Sequence, residues 1–162
     1  EGCTTLTISG ELTLIPKDAF KDCKSLTKVA ISQTVLQICD SSFEGCTSLS
    51  EITLHPPLAT IGSKVFEGCN VLLISGDIVT IPKNAFKDCS TLTKVTFSQS
   101  VTTIGESSFE GCTALSEVAF LGTITSIAEK AFEGCSSLLQ ISLPQAATVA
   151  DNAFPNTNVT RV

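Results

Sequence analysis

The sequence predicts an α/β solenoid, a right-handed stack of about seven coils of 20 to 23 residues with one parallel β-sheet on its concave face. Three observations lead there. A phenylalanine returns at Phe20, Phe43, Phe66, Phe86, Phe109, Phe132 and Phe154, at the interval of a solenoid coil. Each copy opens the same pattern, F-x-x-C-x-x-L-x-x-[VI]-x-[ILF], followed by a polar turn and [VLI]-x-x-I. Residues 1–66 laid on 67–132 are identical at more than half of their positions, so three coils recur as a block. One domain over 1–162 is expected, with 133–162 as a terminal coil or partial cap.

Within a coil, the alternating pair such as Val29 and Ile31 predicts a short strand with one face buried. Stacked coils would pair these strands in parallel at roughly 4.8 Å. A polar turn follows at Ser32–Thr34, Ser98–Ser100 or His55–Pro57. Next comes helix-start chemistry: Pro16 and Pro82 suit a first helical position and Asp40 an N-cap. Gly45, Gly68, Gly111 and Gly134 follow at once, so a single helical turn with a left-handed exit is expected. The Phe then stacks over the Phe of the next coil, and aromatic burial of this kind is among the largest core terms. Two coils, those ending at Phe20 and Phe86, are 20-residue versions that lack the C-x-x-L step, and irregular curvature is expected there. In the tail, Asn156 is expected in the cysteine place, with Val159 and Val162 as the next apolar positions.

Composition narrows the function classes. The net charge of −6 and ten scattered basic residues argue against a nucleic-acid or anionic-membrane surface, which needs clustered Lys and Arg. The longest aliphatic run, Val71–Ile74, is far short of the roughly 20 residues of a membrane span. Trp and Tyr are absent, which removes two common anchors of protein interfaces. The chain opens at Glu1 without any Met, as a processed or excised piece would.

Eight cysteines invite a disulfide reading. Seven of them, Cys3, Cys23, Cys46, Cys69, Cys89, Cys112 and Cys135, hold one equivalent place per coil. Such a column points all its Cβ vectors the same way, which opposes bridging, and free Cys is among the most buried residue types. The column is therefore expected as buried free thiols set against the backbone of the neighbouring coil. With the stacked Phe20, Phe43, Phe66, Phe86, Phe109 and Phe132 it forms the core ladder. Cys39 falls outside the column, in the place of Gly62 and Gly105, and is the candidate for oxidation. No C-x-x-C pair exists for zinc. The single histidine, His55, lies in HPP and reads as an exposed turn, so no Cys–His nucleophile is expected. Acidic residues repeat with the coil instead of clustering in a cleft, so no enzyme and no cofactor are expected.

AFKDCKSL at Ala19–Leu26 and TTIGESSFEGCTAL at Thr102–Leu115 resemble the BspA-like, or treponemal-type, leucine-rich repeat, and the strand segment L-x-x-V-x-I resembles the repeat core. The resemblance runs along the whole chain. It implies a cell-surface or secreted protein tied to adhesion and host contact, with no catalytic residues.

Binding is then expected on the outward strand positions. One row reads Lys28, Glu51, Lys94, Glu117 and Gln140, with Leu73 in the short coil; the next reads Ala30, Thr53, Ser75, Thr96, Ala119 and Ser142. Lys28, Glu51, Thr53, Lys94, Thr96, Glu117 and Gln140 are the candidate site residues. The bland alternative is a solvated face of alternating charges, whose exposed pairs contribute about 0–1 kcal/mol each. The leading expectation is a recognition or adhesion module for a protein or glycan; the alternative is a spacer that self-assembles by end-to-end stacking of uncapped coils. Asn158-Val159-Thr160 is a glycosylation sequon for which chance is a sufficient account.

Overall fold

The structure, a computed structural model, describes residues 2–157 and 159–161. The alternating segments form strands as expected. Thr5–Ile8, Lys28–Ile31, Glu51–Leu54, Val71–Gly76, Lys94–Phe97 and Glu117–Phe120 lie side by side in one six-stranded parallel sheet. Their inward residues, among them Val29, Ile31, Ile52, Leu54, Ile74, Val95 and Phe97, are buried. The V-x-x-I segment gives each coil a second, two-residue strand. Leu14–Ile15, Gln37–Ile38 and Thr60–Ile61 make one ladder; Thr80–Ile81, Thr103–Ile104, Ser126–Ile127 and Thr148–Val149 make another. The core lies between these ladders and the sheet.

The short helical turns are replaced by something else: no helix occurs among the described residues. The segment around each Phe is a series of tight turns, in which Ala19 N–H donates to Pro16 O, Lys21 N–H to Asp18 O and Cys23 N–H to Phe20 O. Two residues before the Phe, Asp18, Ser41, Lys64, Asn84, Ser107 and Lys130 adopt φ between 52° and 60°. Two residues after it, Asp22, Gly45, Gly68, Asp88, Gly111, Gly134 and Asn156 are also left-handed. A left-handed residue at every fourth place is incompatible with an α-helix. It sends alternate N–H groups to the next coil instead: Phe20 N–H reaches Ser42 O at 2.8 Å and Phe86 N–H reaches Ser108 O at 2.7 Å. Asp40, which looked like a helix cap, accepts from the backbone N–H of Ser63 one coil away, at 2.9 Å.

The six-stranded sheet counts about six turns, one fewer than the Phe spacing predicts. Leu121 N–H donates to Phe97 O at 3.1 Å, whereas the equivalent residue of the following coil, Pro144, has no N–H to give. Gln140–Ile141 leaves the sheet and pairs with Thr160–Arg161.

The Phe column runs from Phe20 to Phe154 with ring centroids 4.8 to 6.1 Å apart. A second stack, Phe97 on Phe120 at 5.6 Å, meets it edge-on at Phe86 and Phe109. The column is least regular at the short coil, where Phe66 and Phe86 are inclined by 29°. There Glu51 pairs with Leu73 while Lys94 pairs with Val71, so the sheet register steps by two residues across one strand. The two back ladders also part here, between Thr60–Ile61 and Thr80–Ile81. A step of two keeps every side chain on its own face, so the core absorbs it. Gly76 marks the spot: its φ is 96°, and a Cβ there would lie 2.1 Å from Leu54 O.

Candidate functional site

The exposed face of the sheet carries the candidate residues, but not in straight rows. Lys28 Nζ pairs with Glu51 Oε1 at 2.8 Å, and Lys94 Nζ with Glu117 Oε1 at 2.6 Å. Between these pairs the register step intervenes. Glu51 neighbours Leu73, whose other neighbour is Thr96, and Thr53 neighbours Ser75. The Thr53 and Ser75 hydroxyls are 2.8 Å apart, and Ser75 Oγ donates towards Ile52 O at 3.3 Å and Glu51 Oε1 at 3.4 Å. Gln140 stands outside the sheet, in its separate two-residue strand.

One pair went unread in the sequence. His55, expected in an exposed turn, is half-buried, and its Nδ1 meets the Asp77 carboxylate. That hydrogen bond holds Asp77 below the usual carboxylate range. The two residues continue the Thr53–Ser75 register by one more outward step. The signal was the register itself, and the short coil hid it.

Similar Lys–Glu pairs join coils on the turn side: Lys21–Glu44 at 2.8 Å, Lys83–Glu106 at 2.6 Å and Lys87–Glu110 at 2.7 Å. In each the Lys lies on the earlier coil. Hydrogen bonding within the pair raises Lys21 and Lys87 and lowers Glu44 and Glu110.

All eight cysteines are free. Cys46, Cys69, Cys89, Cys112 and Cys135 are buried. Cys46, Cys112 and Cys135 donate across coils to Phe20 O, Phe86 O and Phe109 O at 3.0 to 3.1 Å. Burial pushes Cys46 up to about 11 and Cys69 and Cys135 up to about 12. Cys3 and Cys23 depart from the expected buried column: both are exposed, and Phe20 is only half-buried. They belong to the first two coils, Cys3 before the strand Thr5–Ile8 and Cys23 before Lys28–Ile31. They line an apolar cavity of about 410 Å³ with Gly2, Leu6 and Leu26. Cys39 is half-buried. Asn156 does not take the cysteine place; it takes the left-handed one, with φ 58°, and Thr157 follows with its hydroxyl on Phe154 O at 2.7 Å. Asn158 of the sequon and Val162 lie outside the described residues. Among the described residues no group of three or more His, Cys, Asp or Glu could hold a metal ion. No helix among them is long and apolar enough to cross a membrane.

A parallel coil stack with a buried Phe column, a polar sheet face and no clustered ligands is a leucine-rich-repeat solenoid. The family model described as the BspA type leucine rich repeat region matches residues 1–76 and 72–162 in six copies, and the chain belongs to that family. Solved structures agree. A leucine-rich repeat protein from Eubacterium ventriosum is 28% identical, with a TM-score of 0.70, over 100% of this chain and 45% of that one. A leucine rich cell surface protein from Faecalibacterium prausnitzii is 26% identical, with a TM-score of 0.56, over 98% of this chain and 48% of that one. The leucine-rich repeat protein of T. pallidum, 24% identical with a TM-score of 0.57 over 98% of this chain and 72% of that one, shares the fold. The chain thus spans less than half the length of the first two. The comparison with curated proteins returned no match.

Proposed function

We propose that the chain is a non-enzymatic recognition module that binds a protein or glycan through the exposed sheet face, at the surface of its cell. The observation that carries the reading is the character of that face. Its inward residues repeat from coil to coil, whereas the outward Lys28, Glu51, Thr53, Lys94, Thr96 and Glu117 vary in charge and size on a rigid support. Binding side chains on regular elements are held in place by the packing beneath them. Surface location draws on the relative from Faecalibacterium prausnitzii, which is described as a cell surface protein. The test exchanges one pair, Lys94→Glu with Glu117→Lys, and measures binding to a panel of glycans and extracellular proteins. The exchange is expected to weaken any interaction that covers the Lys94–Glu117 part of the face; the absence of binding to every member of the panel through the face would remove the assignment.

A second reading, end-to-end stacking into a self-assembling array, is favoured by the apolar cavity lined by Cys3, Leu6, Phe20, Cys23 and Leu26. It expects sedimentation to show dimers or longer species whose proportion rises with concentration. A strict monomer at high concentration would eliminate it.

A further inference from the structure

We propose that the ligand site of the sheet face is the cluster formed by Glu51, Thr53, His55, Ser75 and Asp77 at the register step, and that its ligand is an uncharged, hydroxyl-rich glycan. The inference rests on the recognition reading above and narrows it. The charge of the face is the first ground. The molecule carries −6, yet the face cancels its own charges: Lys28 lies against Glu51 and Lys94 against Glu117, at 2.8 and 2.6 Å. His55 Nδ1 is hydrogen-bonded to the Asp77 carboxylate. A polyanion or a basic peptide would have to displace one member of a pair already made. A neutral polyol would not, because its hydroxyls both donate and accept and can add to a Lys–Glu or His–Asp pair without breaking it.

The second ground is what the cluster offers. Thr53 and Ser75 present adjoining half-buried hydroxyls, backed by Glu51 Oε1 and Ile52 O. His55 uses Nδ1 on Asp77, and among the described residues its Nε2 has no hydrogen-bond partner. Asp77 is exposed, and its Oδ1 is the atom that meets His55. These donors and acceptors lie on two neighbouring strands and the residues that directly follow them. Elsewhere on the face Ala30 and Ala119 supply none, and Thr96, beside the Lys94–Glu117 pair, adjoins Leu73 and Ala119. Protein partners are less well served. The cluster has one apolar neighbour, Leu73, and no aromatic side chain, whereas protein interfaces draw their energy from buried aromatic and Arg anchors. Few strong contacts per sugar also means that affinity must accumulate along a polymer, so longer chains are expected to bind more tightly than short ones.

The experiment titrates the whole chain with mannan, dextran and β-glucan oligosaccharides, with heparin as the polyanion and a set of extracellular proteins as the alternative. Binding to at least one neutral glycan is expected to change less than about twofold between about 50 and 500 mM salt, because no charge is exchanged. Thr53→Val and Ser75→Ala are each expected to weaken it about tenfold or more, the size of a lost buried-side hydrogen bond. Lys83→Gln with Glu106→Gln, on the turn side, is expected to leave it unchanged. Salt-sensitive binding of heparin or a protein that the Lys94–Glu117 exchange abolishes would overturn the glycan assignment while leaving the recognition reading intact. Neutral-glycan binding that survives both hydroxyl substitutions would overturn the site. No binding through the face by any probe would overturn both readings.

Discussion

Each Phe of the column is worth more than its own burial. Phe109 lies between Phe86 and Phe132, at 4.8 and 5.1 Å, and touches Phe97 edge-on. Phe109→Ala removes a fully buried ring and two stacked contacts together. It is expected to lower stability by about 3–5 kcal/mol in denaturant melts, the usual range for Phe→Ala in a core. The thiols behave in two classes. Cys3 and Cys23 are exposed, while the five inner thiols are buried and pushed up by that burial. A pulse of alkylating reagent on the native protein, read by mass spectrometry, is expected to label Cys3 and Cys23 fast and the inner five only after unfolding. Rapid labelling of Cys112 in the native state would contradict the buried ladder.

The element that departs most from its sequence expectation is the turn segment. The local sequence carries helix-start residues at Pro16, Asp40 and Pro82, and the residues that follow them, Asp18, Ser41 and Asn84, take left-handed turns whose N–H groups bond to the next coil. Short polar residues tolerate the left-handed region, which suits Asp18, Asp22, Asn84, Asp88 and Asn156; Ser41, Lys64, Ser107 and Lys130 adopt it in the equivalent places of other coils. Position decides between the two outcomes: a helix satisfies its N–H groups internally, and a coil in a stack has a neighbour to receive them. At Gly76 the strand itself is at stake. Gly76→Ala meets both a φ of 96° and the Leu54 carbonyl at 2.1 Å from the new Cβ. It is expected to cost about 1–3 kcal/mol and to speed amide exchange in Glu51–Leu54 and Val71–Gly76 first, because that pairing must open to admit the methyl group.

For the whole molecule, stability is expected to fall on the alkaline side. In the unfolded chain the thiols titrate near their ordinary value, about 8.5. In the folded chain Cys46, Cys69 and Cys135 titrate at about 11 to 12. The raised folded values mean that their contribution is complete below the unfolded value and is lost as pH rises through the folded one. Each such thiol takes away up to about 1.4 kcal/mol per pH unit in that window. The melting temperature is therefore expected to drop steeply between about pH 9 and pH 11, and replacing Cys69 and Cys135 by Ala is expected to flatten the slope. A melting temperature that stays level across this range would show that the thiols are not buried as a column.

Periodicity alone specified the solenoid, the Phe column and the inner cysteine ladder, because a side chain that recurs once per coil must meet its own copy in the next. It also chose the outward face, since alternation sorts a strand's residues into two sides. It could not say which outward residues touch. That depends on the register between strands, and register across the 20-residue coil came from packing, with a two-residue step that brought Thr53 to Ser75 and His55 to Asp77. The departure of Gln140 from the sheet, into a pairing with Thr160–Arg161, was likewise a tertiary outcome. Repetition governs what each coil buries; the contacts at its irregular junction, where the candidate site lies, exist only once the coils are stacked.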